Sequence, residues 1–295
     1  MSLTDTQLYT AIVTPMKENG DVDLDGLASL IHRQDEADNG VLVLGSTGEG
    51  LALGLEDKKQ VVKTATSLNI EVPIMVGVGG FNLRNQIAWM EYCHDFEVDS
   101  FLLVTPLYAK PGPKGQVKWF KSLLDTAERP CMLYNVPSRT GTEMSLLVLK
   151  ELAGHPNFKA VKEASGSIDD FQQYRKTAED IAFYSGDDGL LPFFAMAGCN
   201  GLVSVAANVW PKETHQYVDW CLDGRGPELL PLWQECTDTL FKWSNPVPAK
   251  VLLQEKGWIE NARLRSPLTT EEVDDISLLK NADNMIQQWY TKTNK

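Results

Sequence analysis

The sequence predicts a (β/α)8 barrel, an α/β TIM barrel, followed by a C-terminal helical region. Two observations carry this reading. Short β-branched runs alternate eight times with longer polar segments that have helical spacing, the pattern of a parallel sheet with crossover helices. Some runs, such as Phe101-Leu-Leu-Val104, are continuously apolar, which suits strands buried on both faces. The eightfold count favours a closed barrel over an open doubly wound sheet.

The strand candidates, in order, are Tyr9–Val13, Val41–Gly45, Ile74–Val78, Phe101–Thr105, Cys131–Asn135, Phe158–Glu163, Ile181–Ser185 and Gly201–Val205. The first helix is marked by Leu24, Leu27 and Ile31 behind Asp23. The second carries Val61, Val62 and Ala65 behind Glu56-Asp57, acidic residues that suit the positive end of a helix dipole. The third places Ile87 and Met90 after Asn82, an N-cap residue type. Beyond the eighth strand and its helix, about 70 residues show helical texture and no strand signal. Pro227, Pro231, Pro246, Pro248 and Pro267 punctuate them. The expected division is a catalytic barrel over residues 1–224 and a helical appendage over 225–295.

Bulk properties exclude several functions. A net charge of −13 argues against nucleic acid and anionic membrane surfaces, which are bound by clustered Lys and Arg. No apolar run reaches the length of a membrane span. The start, Met1-Ser-Leu-Thr-Asp-Thr-Gln7, lacks a basic stretch followed by an apolar one, so a cytoplasmic protein is expected. The five cysteines are odd in number and form no Cys-x-x-Cys pair, so reduced thiols are expected rather than disulfides or a zinc site. The four histidines are scattered and none stands at metal-ligand spacing from a carboxylate.

In a barrel of this kind the chemistry sits at the C-terminal ends of the strands and in the loops that follow. The residues there include Gly45-Ser-Thr-Gly-Glu49, Gly77-Val-Gly-Gly80, Thr105-Pro-Leu-Tyr108, Tyr134 to Arg139, Lys162, Gly186-Asp-Asp188 and Val203-Ser204. Lys162 is the most informative. A lysine has no packing reason to end a buried strand. Burial disfavours its charged form and lowers its pKa. An ordinary lysine is neutral only about once in 2,500 molecules at pH 7, and attack on a ketone carbon requires the neutral amine. Taken alone, the strand is better explained by a solvated lysine at its edge. The convergence of tyrosines, hydroxyls, glycines and an arginine on the same rim makes Lys162 a Schiff-base candidate.

Gly45-Ser-Thr-Gly-Glu-Gly50 is neither a P-loop nor a dinucleotide fingerprint. It offers backbone N–H groups beside two hydroxyls, Ser46 and Thr47, which could cradle a carboxylate; a tight strand-to-helix turn explains it equally well. Gly77-Val-Gly-Gly80 reads as turn punctuation rather than a phosphate loop. Tyr134 could shuttle protons or be a half-buried aromatic. Arg139, past Pro137, could fork a carboxylate or be a solvated loop residue.

Gly45-Ser-Thr-Gly-Glu49, Tyr134-Asn-Val-Pro-Ser-Arg-Thr-Gly141, Val161-Lys-Glu-Ala164, Ser185-Gly-Asp-Asp188 and Asn245-Pro-Val-Pro248 occur in that order. Together they resemble the dihydrodipicolinate synthase family of the pyruvate-dependent class I aldolase superfamily, which includes N-acetylneuraminate lyase. The resemblance runs from Ala11-Ile-Val-Thr-Pro15 to Leu264-Arg-Ser-Pro-Leu268. It implies condensation of pyruvate with L-aspartate-4-semialdehyde toward diaminopimelate and lysine. Lys162 would form the imine, and Tyr134, Thr47 and Tyr108 a proton relay, with Tyr108 reaching in from a neighbouring subunit. Ser46 and Thr47 would hold the pyruvate carboxylate, Arg139 the aldehyde substrate, and Gly186 and Val203 would supply backbone near the imine. No metal or organic cofactor is implied, and the assembly would be a homotetramer built as a dimer of dimers.

Two positions depart from the pattern. Ser46 stands where many members have threonine, and the hydroxyl is kept. The positions matching the family's lysine-feedback site read Leu55, Lys58, Phe81, Asn85 and Leu107. Leucine and phenylalanine cannot hydrogen-bond the effector, and Lys58 would repel its ammonium groups, so weak or absent lysine inhibition is expected. Alternatives are a lyase for N-acetylneuraminate or a 2-keto-3-deoxy sugar acid, against which Arg139 counts, and a non-catalytic pyruvate-binding paralogue.

Overall fold

The computed structural model describes residues 3–295. Eight parallel strands close a barrel in sequence order: β1 (Leu8–Ala11), β2 (Gly40–Val43), β3 (Ile74–Val78), β4 (Ser100–Val104), β5 (Cys131–Asn135), β6 (Phe158–Glu163), β7 (Ala182–Ser185) and β8 (Gly201–Ser204). All eight expected strands are present, with ends that move by one or two residues. The three expected helix starts also hold. Asp23 accepts from the Gly26 N–H at the head of helix Leu24–Asp35, and Asn82 accepts from the Asn85 N–H at the head of helix Leu83–Cys93. Leu55–Ser67 carries its acids in the first turn. No helix among the described residues is long and apolar enough to cross a membrane.

Two hydrophobic layers result from the alternation of side chains along each strand. Leu42, Met75, Leu102, Met132, Ala160 and Val203 fill the barrel interior. Val41, Val43, Phe101, Leu103, Leu133 and Val161 face the surrounding helices. This alternation decides where the chemistry points. Tyr134 is two residues beyond Met132, and Lys162 two beyond Ala160, so both belong to the inner face. They are direct partners in the β5–β6 register.

A β-bulge makes that pairing possible. Cys131 pairs with Phe158 but the next residue, Met132, pairs with Ala160, leaving exposed Lys159 as the extra residue. Phe158 faces the helix layer and Ala160 the barrel interior, so side-chain parity changes across Lys159. A one-residue slip exchanges the two faces of a strand; the bulge absorbs that slip and keeps Lys162 inward, beside Tyr134.

The chain after the barrel forms helices Leu232–Leu240, Val247–Glu255 and Ile276–Thr293. Trp233 stacks on Tyr217 of helix Pro211–Leu222 at 4.1 Å and meets Trp289 edge-on at 5.4 Å. The Trp210 indole N–H donates to Asp283 at 2.8 Å. This aromatic seam seats the C-terminal helices on the barrel and brings the segment around Asn245 over the strand ends.

Candidate active site

Lys162 ends β6 with 5% of its surface exposed. Its Nζ lies 4.4 Å from the centroid of the Tyr134 ring, a cation–π distance. Among the described residues no carboxylate reaches it at ion-pair distance. Burial is the main cause that brings its pKa down to about 8; Asp188 and Asp187 oppose that fall and Arg139 adds to it. A pKa of 8 leaves about one amine in ten neutral at pH 7, about 200 times more than for an ordinary lysine.

Tyr134 is buried and its phenol is pushed up to about 12, by desolvation first; Arg139 and the Ser46 hydroxyl counter this and Asp187 adds to it. It therefore holds its proton at neutral pH and can give it only to a partner that becomes strongly basic during reaction. The strand ends that carry Lys162 and Tyr134 are clamped together by their neighbours. The Glu163 carboxylate accepts from Asn135 Nδ2 at 2.8 Å and from the Ser165 N–H at 2.7 Å. Asn135 Oδ1 in turn accepts from the Met144 N–H at 2.8 Å. Burial raises Glu163 to about 7, against the pull of those hydrogen bonds.

The loop after β2 carries Ser46 and Thr47. It folds tightly on itself: the Gly50 N–H donates to the Gly45 carbonyl at 3.1 Å, and a Cβ on Gly50 would lie 2.1 Å from the Leu44 carbonyl oxygen. Only glycine fits there. The N–H groups of Glu49 and Gly50 are used inside the loop, whereas those of Ser46 and Thr47 make no hydrogen bond within the described residues. Two free donors beside two hydroxyls are the donor set a carboxylate can use, and a turn alone does not require them. Glu49 sits at φ +54°, an unusual conformation for a non-glycine residue. It is held there by Lys250 Nζ at 2.5 Å and by the Arg265 N–H at 2.7 Å.

Arg139 lies on the single helical turn Pro137–Thr140, which ends at Gly141 with φ +71°. A cavity of about 230 Å³ is lined by Gly45, Ser46, Tyr134 and Arg139 together with Lys58 and Trp89. Gly186 follows β7; a Cβ there would lie 2.7 Å from Lys162 Cε, so the absence of a side chain makes room for the lysine. Val203 is buried on the inner face of β8. Thr47, Lys162, Gly186 and Val203 do not line that cavity, nor does Tyr108, which stands apart by its exposure. It is 84% exposed at φ +64°, tilts against Phe81 at 6.2 Å, and is not part of the cavity wall, although Leu107 is.

Sequence reasoning missed three contributors. Glu163 looked like a strand residue, but it clamps β5 to β6. Asn245 donates to Thr47 Oγ1 at 2.9 Å, and the buried Lys250 ties the helix that follows it to Glu49. The Asn-Pro-Val-Pro motif was the available signal for Asn245; nothing in the sequence pairs Lys250 with a residue 201 positions earlier.

This arrangement can bind a small keto acid by its carboxylate, present a neutral amine to its ketone carbon and move protons through a hydroxyl and a phenol. Comparison with known proteins shows the family. The model of the dihydrodipicolinate synthetase family matches residues 5–283. The 4-hydroxy-tetrahydrodipicolinate synthase of Francisella tularensis subsp. novicida is 48% identical over 286 residues, 97% of each chain. Among solved structures, the 4-hydroxy-tetrahydrodipicolinate synthase of Methylacidiphilum fumariolicum SolV superposes with a TM-score of 0.92 at 28% identity, covering 98% of both chains. The Cyanidioschyzon merolae enzyme, crystallised with lysine bound, gives 0.91 at 29% identity, over 96% of this chain and 99% of its own. The chain belongs to the dihydrodipicolinate synthetase family of enzymes.

Proposed function

We propose that this enzyme condenses pyruvate with L-aspartate-4-semialdehyde through a Schiff base on Lys162. The observation that carries the reading is the buried Lys162 amine, free of any ion pair among the described residues, over the Tyr134 ring at the mouth of the barrel. The pyruvate carboxylate binds the Ser46 and Thr47 N–H groups and hydroxyls. The neutral amine attacks the ketone carbon, C2. Tyr134 carries protons as the carbinolamine loses water and becomes an imine. Loss of a C3 proton gives the enamine, and C3 attacks the aldehyde carbon, whose oxygen takes a proton and becomes the 4-hydroxyl. The substrate nitrogen then closes on C2 and expels Lys162, giving 4-hydroxy-tetrahydrodipicolinate. Arg139 receives the carboxylate of the semialdehyde, since a guanidinium fork matches that group. Gly186 and Val203 line the space beside the imine.

Tyr108 completes the relay only if a second copy of the chain brings it in. Its exposure beside exposed Phe81, Leu51 and Leu55 supports an isologous contact at this face, within a homotetramer built as a dimer of dimers. We assign residues 1–224 to the catalytic barrel and 225–295 to a strap that holds the loop of Ser46 and Thr47.

Borohydride reduction in the presence of pyruvate tests the reading. A pyruvyl adduct mapped to Lys162 is expected, together with turnover of aspartate semialdehyde. Absence of the adduct refutes the Schiff base; an adduct without semialdehyde turnover refutes the second substrate.

A further inference from the structure

Two adjacent acids follow Gly186, and the structure gives them different surroundings. The Asp188 carboxylate is fully engaged: it accepts from the Ser204 hydroxyl, from the Val205 N–H at 3.0 Å and from the Ala206 N–H at 3.2 Å. It is a structural tie between β7 and β8. Asp187 Oδ2 is buried and has no hydrogen-bond partner among the described residues. A buried carboxylate oxygen left unpaired is costly and calls for a ligand as explanation.

Its backbone keeps it in place. The Asp187 N–H donates to Ser185 Oγ at 3.1 Å, and the same hydroxyl donates back to the Asp187 carbonyl at 3.0 Å. The preceding residue, Gly186, packs against the Lys162 side chain, and neighbouring Cα atoms are about 3.8 Å apart. Asp187 therefore stands beside the reacting amine. It also borders a second cavity with Ser138, Gly166 and Phe241. Ser138 directly precedes Arg139 on its helical turn, and Arg139 lines the first cavity. Lys162 feels the charge of both, the negative Asp187 and the positive Arg139.

We infer that Asp187 binds the α-ammonium of an amino-aldehyde substrate and takes its proton before ring closure. The inference rests on the reading above, in which the second substrate is an α-amino acid semialdehyde. Such a substrate presents a carboxylate and an ammonium on one carbon; Arg139 satisfies the first and Asp187 the second. The chemistry also requires a base, because an ammonium nitrogen has no lone pair with which to attack C2. One proton passes from the ammonium to Asp187 Oδ2, and the freed lone pair forms the N–C2 bond. A second proton moves from that nitrogen to Lys162 Nζ. The C2–Nζ bond then breaks, Lys162 returns as a neutral amine, and the ring nitrogen forms the double bond to C2 as it releases its last proton to solvent.

The charges around Asp187 suit the task. Burial raises its carboxyl to about 6; Lys162 opposes that rise, Asp188 adds to it and the Gly166 N–H opposes it. Tyr134, on β5, feels its charge, and Asp238 borders the same cavity from helix Leu232–Leu240. A carboxylate near 6 is a better proton acceptor at neutral pH than one near 4.

The test compares two aldehydes, aspartate semialdehyde and succinate semialdehyde, which lacks the amino group. Asp187→Asn is expected to keep the borohydride-trapped pyruvate adduct on Lys162. It should lose about 100-fold in kcat/KM for aspartate semialdehyde, the range expected when a general base is removed, and bind succinate semialdehyde as wild type does. An equal loss for both aldehydes, or no loss for either, overturns the inference while leaving the Schiff base and the second substrate intact. If the variant does not fold, wild-type enzyme gives the same answer. Its preference for aspartate semialdehyde over succinate semialdehyde should fall as pH drops through about 6, where Asp187 gains its proton; a preference independent of pH there overturns the inference.

Discussion

The Asn245 amide donates to the Thr47 hydroxyl at 2.9 Å across 198 residues of sequence. Because Asn245 supplies the donor, the Thr47 proton must point elsewhere, toward whatever accepts it in the site. The segment that carries Asn245 leads into helix Val247–Glu255, whose Lys250 bonds Glu49. The C-terminal region therefore grips the loop of Ser46 and Thr47 at two points and sets the direction of the Thr47 hydroxyl.

Removing that donor should slow catalysis more than it loosens the fold. Asn245→Ala is expected to lower kcat about tenfold, because a relay hydroxyl free to rotate loses its orientation. The stability change should be about 1 kcal/mol, the usual worth of one neutral hydrogen bond. Steady-state kinetics beside thermal unfolding would separate the two effects. An unchanged kcat would show that Thr47 does not depend on Asn245.

The buried pair behind it is a stability matter first. Lys250 and Glu49 are almost completely enclosed. Lys250→Ala should cost about 3–5 kcal/mol, because it leaves the Glu49 charge uncompensated. Replacing both residues with apolar ones should recover part of that loss but not activity, since Glu49 also accepts from the Arg265 N–H and shapes the loop. Denaturant titration of the single and double variants measures both terms.

Lys162 itself should oppose folding. Its amine titrates at about 8 in the folded chain, against 10.4 for a free lysine. Below pH 8 both states are protonated and the folded one bears the whole burial penalty, on the order of 3 kcal/mol. Between pH 8 and 10.4 the folded state sheds its proton while the unfolded state keeps it, so the penalty fades as pH rises. Lys162→Met should therefore be inactive yet more stable than wild type at pH 7, with the difference shrinking toward pH 10. Equal stability of the two proteins at pH 7 would contradict the burial argument.

The fold was legible from the sequence because barrel strands are short apolar runs with clear helical intervals, and all eight runs became strands. The buried pair of Lys162 and Tyr134 was legible for a related reason: both are polar residues near the ends of such runs. The Lys159 bulge was not visible, since an exposed lysine in a strand has no pattern that distinguishes an extra residue from an outward-facing one. The grip of Asn245 and Lys250 was hidden because long-range pairing depends on how the C-terminal helices dock. The isolation of Asp187 from the satisfied Asp188 was hidden as well, since two consecutive aspartates look identical until their partners are known.

Feedback by lysine should be weak or absent. Leu55 and Phe81 are exposed apolar side chains and offer an effector nothing to hydrogen-bond. Lys58 lines the cavity and would face the ammonium groups of lysine with a like charge. Initial rates at fixed pyruvate and aspartate semialdehyde should stay flat as lysine rises to submillimolar levels. Inhibition in that range would mean that other side chains supply the recognition.

Tyr108 provides the sharpest test of assembly. It is exposed in the single chain and lies outside the cavity wall, so its part in the relay depends on a neighbour. Lys162→Ala should be inactive because it lacks the nucleophile, and Tyr108→Phe severely impaired because it lacks the phenol. In a mixed pair, the site that keeps Lys162 receives the intact Tyr108 of the other chain, while the second site carries both lesions. Random reassociation of equal amounts makes half the dimers mixed, and half their sites complete, so activity should return to about a quarter of wild type. If Tyr108 acted within its own chain, every site in every mixture would carry one lesion and no activity would return. Mixing the two variants after dissociation and refolding, and measuring turnover, distinguishes these outcomes.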